Sequence, residues 1–249
     1  MNIKWDSHGD GPALLLVQGL GYGRWGWDPV VPRLAERFRV LTFDNRGIGE
    51  SDKPEGPYTA RMMAGDALQV LDEAGVDRAH VAGASLGGMI AQELAVLAPD
   101  RVERLVLCCT ALRVDAFPFP EETLKLMAEA PTLAPDVALR RFVENALGAN
   151  PSPTLVDEIV ALRIANPPDP VGWQAQAAAG TTFAGVDGSI DVPTLVLHGT
   201  EDNVVDVRHA TLLAEHIAGA RVVLVPRAGH LFFWEDPQAF LDPVLEFLA

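Results

Sequence analysis

The 249-residue chain predicts an α/β fold, a mostly parallel central sheet flanked by helices on both faces with a helical cap inserted. Three observations predict it. Short apolar runs at 13–17, 38–43, 79–83, 103–109, 193–198 and 221–225 alternate with helix-like segments, which is the order of parallel strands joined by crossover helices. A glycine-bracketed serine, Gly83-Ala84-Ser85-Leu86-Gly87-Gly88, stands where one run gives way to a helix. Between Thr110 and Pro193 the alternation breaks, over a length far beyond the about 2–6 residues of an ordinary α/β connection. The expected organisation is a core made of residues 1–110 and 193–249, with residues 111–192 as a cap over the carboxyl ends of the strands. That end is where open α/β sheets bind ligands.

The first run, Leu14-Leu15-Leu16-Val17, opens into the glycine-containing loop Gln18-Gly19-Leu20-Gly21. Trp27 precedes Asp28-Pro29, a helix-start signature, and reads as core. The second run ends in Phe43-Asp44-Asn45-Arg46-Gly47, expected to be a buried turn held by an ion pair between Asp44 and Arg46, with Glu50 and Asp52 solvated beyond it. A helix is expected over 59–74, with Thr59 as N-cap, Met63, Ala67, Val70, Leu71 and Ala74 on its apolar face and Gly75 as its stop. After the third run the segment Met89 to Ala95 is helix-like. The fourth run carries Cys108 and Cys109, the chain's two cysteines; neighbouring strand positions face opposite ways, so they read as small buried hydrophobes rather than a disulfide or metal pair. Helical stretches are expected in the cap at Glu121 to Ala130, Asp136 to Leu147 and Thr154 to Asn166, separated by Pro131, Pro135, Pro151, Pro153 and Pro167-Pro168. The chain closes on a helix with Leu241, Val244, Leu245 and Leu248 on one side.

Composition narrows the possible functions. Acidic residues outnumber basic ones 34 to 19, for a formal charge of −15, which repels phosphate backbones and anionic membrane surfaces and argues against nucleic acid as a partner. No apolar run approaches the about 20 residues of a bilayer span, and the first residues lack a signal-peptide core, so the chain reads as soluble and cytoplasmic. His8, His80, His209 and His216 show no metal-ligand spacing with one another or with the cysteines. Neither a metal nor a cofactor is expected.

Chemistry enters with Ser85. A Gly-x-Ser-x-Gly at a strand-to-helix turn presents the serine hydroxyl at the tip of the sheet, and the sharp turn leaves no room for side chains at Gly83 or Gly87. The following helix aims its first free amides, beginning with Leu86 N–H, at the point where an attacked carbonyl becomes an oxyanion. Such a serine needs a histidine to take its proton and a carboxylate to hold that histidine's tautomer. Asp202 and His230 follow the last two apolar runs, each in a loop at a strand's carboxyl end, and the order Ser, Asp, His is that of the nucleophile elbow. His198 ends a buried strand beside the acid; His230 can approach Ser85 from a different strand and is the better base.

On these motifs, together with Leu14 to Gly21, Phe43 to Ser51, Leu197 to Asp202 and Gly229-His230, the chain resembles the α/β-hydrolase fold superfamily over essentially its whole length. Within it the chain is similar to the small bacterial carboxylesterase and 3-oxoadipate enol-lactonase-like branch. The resemblance implies a Ser85, Asp202, His230 triad, an oxyanion hole from the backbone amides of Leu20 and Leu86, and a small-molecule ester or lactone as substrate. It leaves the oligomeric state open. One departure stands out, Gln18 where the family usually carries histidine. Aromatic residues Trp25, Trp173, Phe117 and Phe183 are candidate pocket walls, with Phe119 and Phe233 as further ones. Serine at the elbow argues against epoxide hydrolase or haloalkane dehalogenase chemistry, which needs a carboxylate nucleophile. Carboxylesterase is the leading expectation. The alternatives are a lactonase, a cofactor-free perhydrolase detectable by bromide-dependent dye bromination, and a ligand-binding receptor on the same fold, which would retain ligand tightly and turn over once.

Overall fold

The sheet comprises Trp5–His8 (β1), Ala13–Val17 (β2), Arg39–Phe43 (β3), Ala79–Ala84 (β4), Val102–Cys108 (β5), Thr194–Gly199 (β6) and Arg221–Val225 (β7), in a computed structural model describing residues 1–249. The strands lie in the order β1-β3-β2-β4-β5-β6-β7, with β1 antiparallel to β3 and every other pairing parallel. Central strands β4 and β6 are buried at every position, which is why they read as unbroken apolar runs rather than alternating ones. The pleat sends Leu15, Val17, Val81, Leu105 and Leu107 into one core, and Leu14, Leu16, Ala82 and Val106 into the other.

Helices cover both faces. Val31–Leu34 (α1) contributes Leu34 to the second core, and Ala60–Glu73 (α2) with Leu86–Leu97 (α3) contributes Met63, Val70, Ile90 and Leu94 to the first. The expected start of α2 is present: the Thr59 hydroxyl accepts the Met62 amide at 3.1 Å. Between β5 and β6 lie four helices, Glu121–Glu129 (α4), Pro135–Asn145 (α5), Pro153–Ala165 (α6) and Pro170–Thr181 (α7). Arg208–His216 (α8), Phe232–Glu235 (α9) and Pro237–Leu248 (α10) complete the chain, α10 sending Phe240 and Val244 into the second core. No helix is long and apolar enough to cross a membrane.

Strand β1, helix α7 and the short helix α9 were not anticipated. Strand β1 (Trp-Asp-Ser-His) is mostly polar and half exposed because it pairs on one side only, along a sheet edge. Helix α7 has a weak apolar stripe, but Pro170 occupies its first position and the Asp169 carboxylate caps it, accepting the amides of Val171 at 3.0 Å and Gly172 at 2.9 Å.

The expected ion pair between Asp44 and Arg46 is not formed. Asp44 binds Arg24 instead, at 2.5 Å, while Arg46 turns to Asp66 at 2.5 Å. Arg24 also reaches Asp6 and Glu50, each at 2.5 Å, so Glu50, although exposed, has a partner. Side chains two positions apart on a turn diverge, and each charge finds an opposite one arriving from another element. Cys108 and Cys109 are both free and buried. β5 ends before Cys109, whose backbone is left-handed at φ +42°.

Candidate active site

Ser85 stands between β4 and α3 with φ +56° and ψ −122°, a conformation costing a non-glycine residue about 1–3 kcal/mol. The glycines around it are forced by contact: a Cβ at Gly83 would lie 2.2 Å from the Gly87 carbonyl oxygen, and one at Gly87 would lie 2.1 Å from that of Val17. The turn is fastened at both ends of the serine. Its N–H donates to the Cys108 carbonyl at 2.9 Å, and its carbonyl accepts the Thr110 hydroxyl at 2.6 Å. Ser85 is partly exposed while its chain neighbours are buried. The loop after β2 runs alongside, since a Cβ at Gly19 would come within 3.6 Å of Ser85 Oγ. Leu86 opens α3, so its N–H belongs to the first turn, which has no partner within the helix.

Asp202 and His230 meet across two loops. His230 Nδ1 lies 2.8 Å from Asp202 Oδ2, with the carboxylate wholly buried. The other carboxylate oxygen accepts the amides of Val204 at 2.8 Å and Val205 at 2.9 Å. His198 shares Oδ2: its Nε2 sits 3.0 Å from it and 3.0 Å from the Val205 carbonyl. Two acceptors around one nitrogen place the proton on His198 Nε2, and with no exposed surface the ring has no route to a substrate. The buried Cys109 is close enough to His230 for each to influence the other's protonation.

The family model described as alpha/beta hydrolase fold matches residues 12–237. The chain belongs to the α/β-hydrolase fold family. A hydrolase from Pseudomonas aeruginosa is 35% identical with a TM-score of 0.81, covering 99% of this chain and 93% of its own. The enol-lactonase from Burkholderia xenovorans is 31% identical with a TM-score of 0.83, over 99% of this chain and 96% of its own. The proposed carbamate hydrolase RutD of Azorhizobium caulinodans is 34% identical, over 99% of this chain and 94% of its own.

In this α/β-hydrolase the electrostatics of the Asp202 and His230 pair follow from burial and proximity. Burial opposes the ionised Asp202, but His230, the hydrogen bonds from both histidines and the nearby His198 outweigh it and hold the carboxyl well below the usual range. Burial opposes the imidazolium of His230 as well; the Asp202 charge overcomes it and raises the pKa above the ordinary 6.5. Cys109 pulls the same way only as a thiolate, and burial keeps that thiol protonated to above its usual pKa. At neutral pH Asp202 is thus the acting partner.

Gln18 is buried, and its Oε1 accepts the Gly19 amide at 2.7 Å, while Asn45 Nδ2 donates to the Gln18 carbonyl at 2.9 Å. The side chain thus braces the first peptide of the loop and leaves its own Nε2 without a partner. Of the aromatic candidates, Trp25 stacks near Tyr22 at 5.1 Å and lines a polar cavity of about 470 Å³ with Arg24, Asp44 and Asn166, whose lining contains neither Ser85 nor His230. Phe117 packs edge-on to His209 at 4.9 Å under the Arg208 guanidinium, Phe183 is buried in the first core and Trp173 rests on Gly21. Phe233 is core, 1% exposed and stacked on Trp27 at 5.1 Å.

Glu235 went unnoticed in the sequence. One of its carboxylate oxygens accepts the Gly229 amide and the other the Gly148 amide, both at 2.7 Å, so it holds the His230 loop to the inserted helices. Burial raises its pKa, against the two amides that favour the charged form. Its position five residues past His230 was the available signal.

Proposed function

We propose that the chain is a serine hydrolase that cleaves carboxylic esters of small molecules through an acyl-enzyme on Ser85. The observation that carries this reading is the left-handed backbone of Ser85 between two glycines that tolerate no side chain, at a residue left partly exposed among buried neighbours. His230 accepts the Ser85 proton at Nε2 as Oγ attacks the ester carbonyl, because Asp202 already occupies Nδ1. The carbonyl electrons move onto oxygen, where the amides of Leu20 and Leu86 receive the charge. When the tetrahedral adduct collapses, the C–O bond to the alcohol breaks and His230 returns the proton to the departing oxygen. Water, deprotonated by the same nitrogen, then attacks the acyl group and releases the acid and free Ser85. The inserted helices act as a cap that selects the substrate, and the −15 charge of the chain disfavours polyanions.

A lactonase is the second reading, favoured by the likeness to the Burkholderia enol-lactonase over nearly the full length of both chains. The chemistry is unchanged except that the leaving alkoxide stays tethered to the acyl group. A series of p-nitrophenyl esters run beside a panel of lactones separates the two. Faster turnover of open-chain esters is expected; lactone rates far above every ester would replace the first reading by the second. Undiminished hydrolysis by Ser85→Ala would remove both.

A further inference from the structure

Gly21, one residue beyond the Leu20 amide assigned to the oxyanion, is gripped on both of its backbone polar groups by the inserted helices. Gln176 of α7 accepts the Gly21 N–H at 3.0 Å, and Arg163 of α6 donates from Nη1 to the Gly21 carbonyl at 2.5 Å. Trp173 of α7 closes a third side, its Cδ1 lying 2.8 Å from where a Cβ would stand. Glycine is demanded twice there, since φ is +69°.

The grip is anchored. The Gln176 side chain is completely buried, and its amide nitrogen donates to the Arg46 carbonyl at 2.7 Å, so one carboxamide ties the loop after β2 to the loop after β3. Helix α7 meets the core backbone to backbone: a Cβ at Gly172 would fall 1.9 Å from the Gly47 oxygen. The Arg163 guanidinium is held over the Tyr22 ring at 4.6 Å. By contrast, residues 18–23 lie outside any helix or strand. Within the loop, Gln18 Oε1 accepts the Gly19 amide at 2.7 Å ahead of Leu20, and the Tyr22 amide closes a long turn onto the Gly19 carbonyl at 3.3 Å with Leu20 and Gly21 at its tip.

We propose that Gln176 and Arg163 are positioning residues for catalysis, which clamp Gly21 so that the Leu20 amide is held facing Ser85. The insertion then completes the catalytic apparatus as well as screening substrates. This rests on the serine hydrolase reading. An oxyanion donor works only when held in place ahead of the reaction, and misplacement by about 1 Å costs up to about 10²-fold.

The test is Gln176→Met, which keeps the side chain's length and removes both hydrogen bonds, with Arg163→Met at a partly exposed position as a second variant that folds if the first does not. For p-nitrophenyl acetate, normalised to titrated active sites, kcat should fall about tenfold in Gln176→Met, less than the about 10²–10³ of losing a donor outright. The same fall, smaller but above twofold, is expected for Arg163→Met, with KM within about twofold in both. The affinity for a trifluoromethyl ketone, whose adduct places an oxyanion in the hole, should weaken by the factor lost from kcat/KM. Retained kcat and inhibitor affinity in either folded variant would overturn the clamp, whatever happens to thermal stability. With Ser85→Ala inactive beside a fully active Gln176→Met, the clamp alone fails; an active Ser85→Ala removes the hydrolase reading and the clamp with it.

Discussion

Replacing Asp202 by asparagine tests the core of the proposed mechanism with little change of shape. Oδ1 can go on accepting the amides of Val204 and Val205. The new NH2 group then takes the place of Oδ2 and points a donor at His230 Nδ1 and at His198 Nε2, which lie 2.8 Å and 3.0 Å away. His230 must present a lone pair at Nδ1 and carry its proton on Nε2, where it can no longer accept one from Ser85. The wrong tautomer costs about 10⁴ in kcat, or about 5.4 kcal/mol of barrier. The pH dependence changes as well. In the parent, Asp202 raises the His230 pKa, and activity needs the neutral ring, so the acid limb of kcat/KM lies above pH 6.5 and the rate climbs into the alkaline range. In Asp202→Asn the raising charge is gone while burial remains, and the limb of the residual activity moves below 6.5. Initial rates on a p-nitrophenyl ester from pH 5 to 10 measure both effects. A loss under tenfold with an unmoved acid limb would show that another carboxylate orients the base.

Three further outcomes are expected. Ser85→Ala should abolish labelling by a fluorophosphonate probe, and Ser85→Gly should also relieve the left-handed backbone and raise the thermal midpoint by about 2–4 °C for a net gain of about 1 kcal/mol; labelling that persists in either would identify a different nucleophile. Gly65→Ala, in α2 with no atom within 4 Å of the added methyl, should stabilise by about 0.8 kcal/mol, whereas Gly87→Ala drives a methyl into the Val17 carbonyl and should yield no soluble protein. Arg24→Met strands Asp44, whose side chain is 3% exposed, with only the amides of Arg24 and Glu50 as donors; urea unfolding should register a loss of about 3 kcal/mol, and an unchanged midpoint would mean that the amides alone satisfy that carboxylate.

What the sequence made legible was local and repetitive. The central strands could be read because burial on both faces makes them continuous apolar runs, and the serine turn could be read because contacts at 2.1–2.2 Å permit only glycine beside it. Asp202 and His230 were legible as the ends of strands. Less legible were features that depend on which segments meet. Asp44 finds Arg24 rather than Arg46, a choice set by the approach of the segment after β2 and invisible in spacing. Helix α7 escaped notice because Gly172 and a run of alanines carry little amphipathic signal, and the prolines before it read as separators although Asp169-Pro170 is a helix start. Gln176 gave no signal, its role being defined by two backbone groups 155 and 130 residues earlier in the chain.

The seating of Gly172 on Gly47 also limits how the insertion can be exchanged. Where two main chains touch without side chains between them, neither can be exchanged independently of the other, so α7 is committed to this sheet. The turn after α5 is committed in the same way to the loop that carries His230, since a Cβ at Gly229 would lie 2.3 Å from the Leu147 carbonyl carbon and one at Gly148 2.5 Å from the Arg227 oxygen, and Arg163 of α6 binds Gly21. Grafts between relatives intended to change what the enzyme admits should therefore retain Leu147-Gly148, Arg163 and the native α7; chimeras that replace them should fold poorly or lose turnover, which a side-by-side comparison of grafts with and without these residues would reveal.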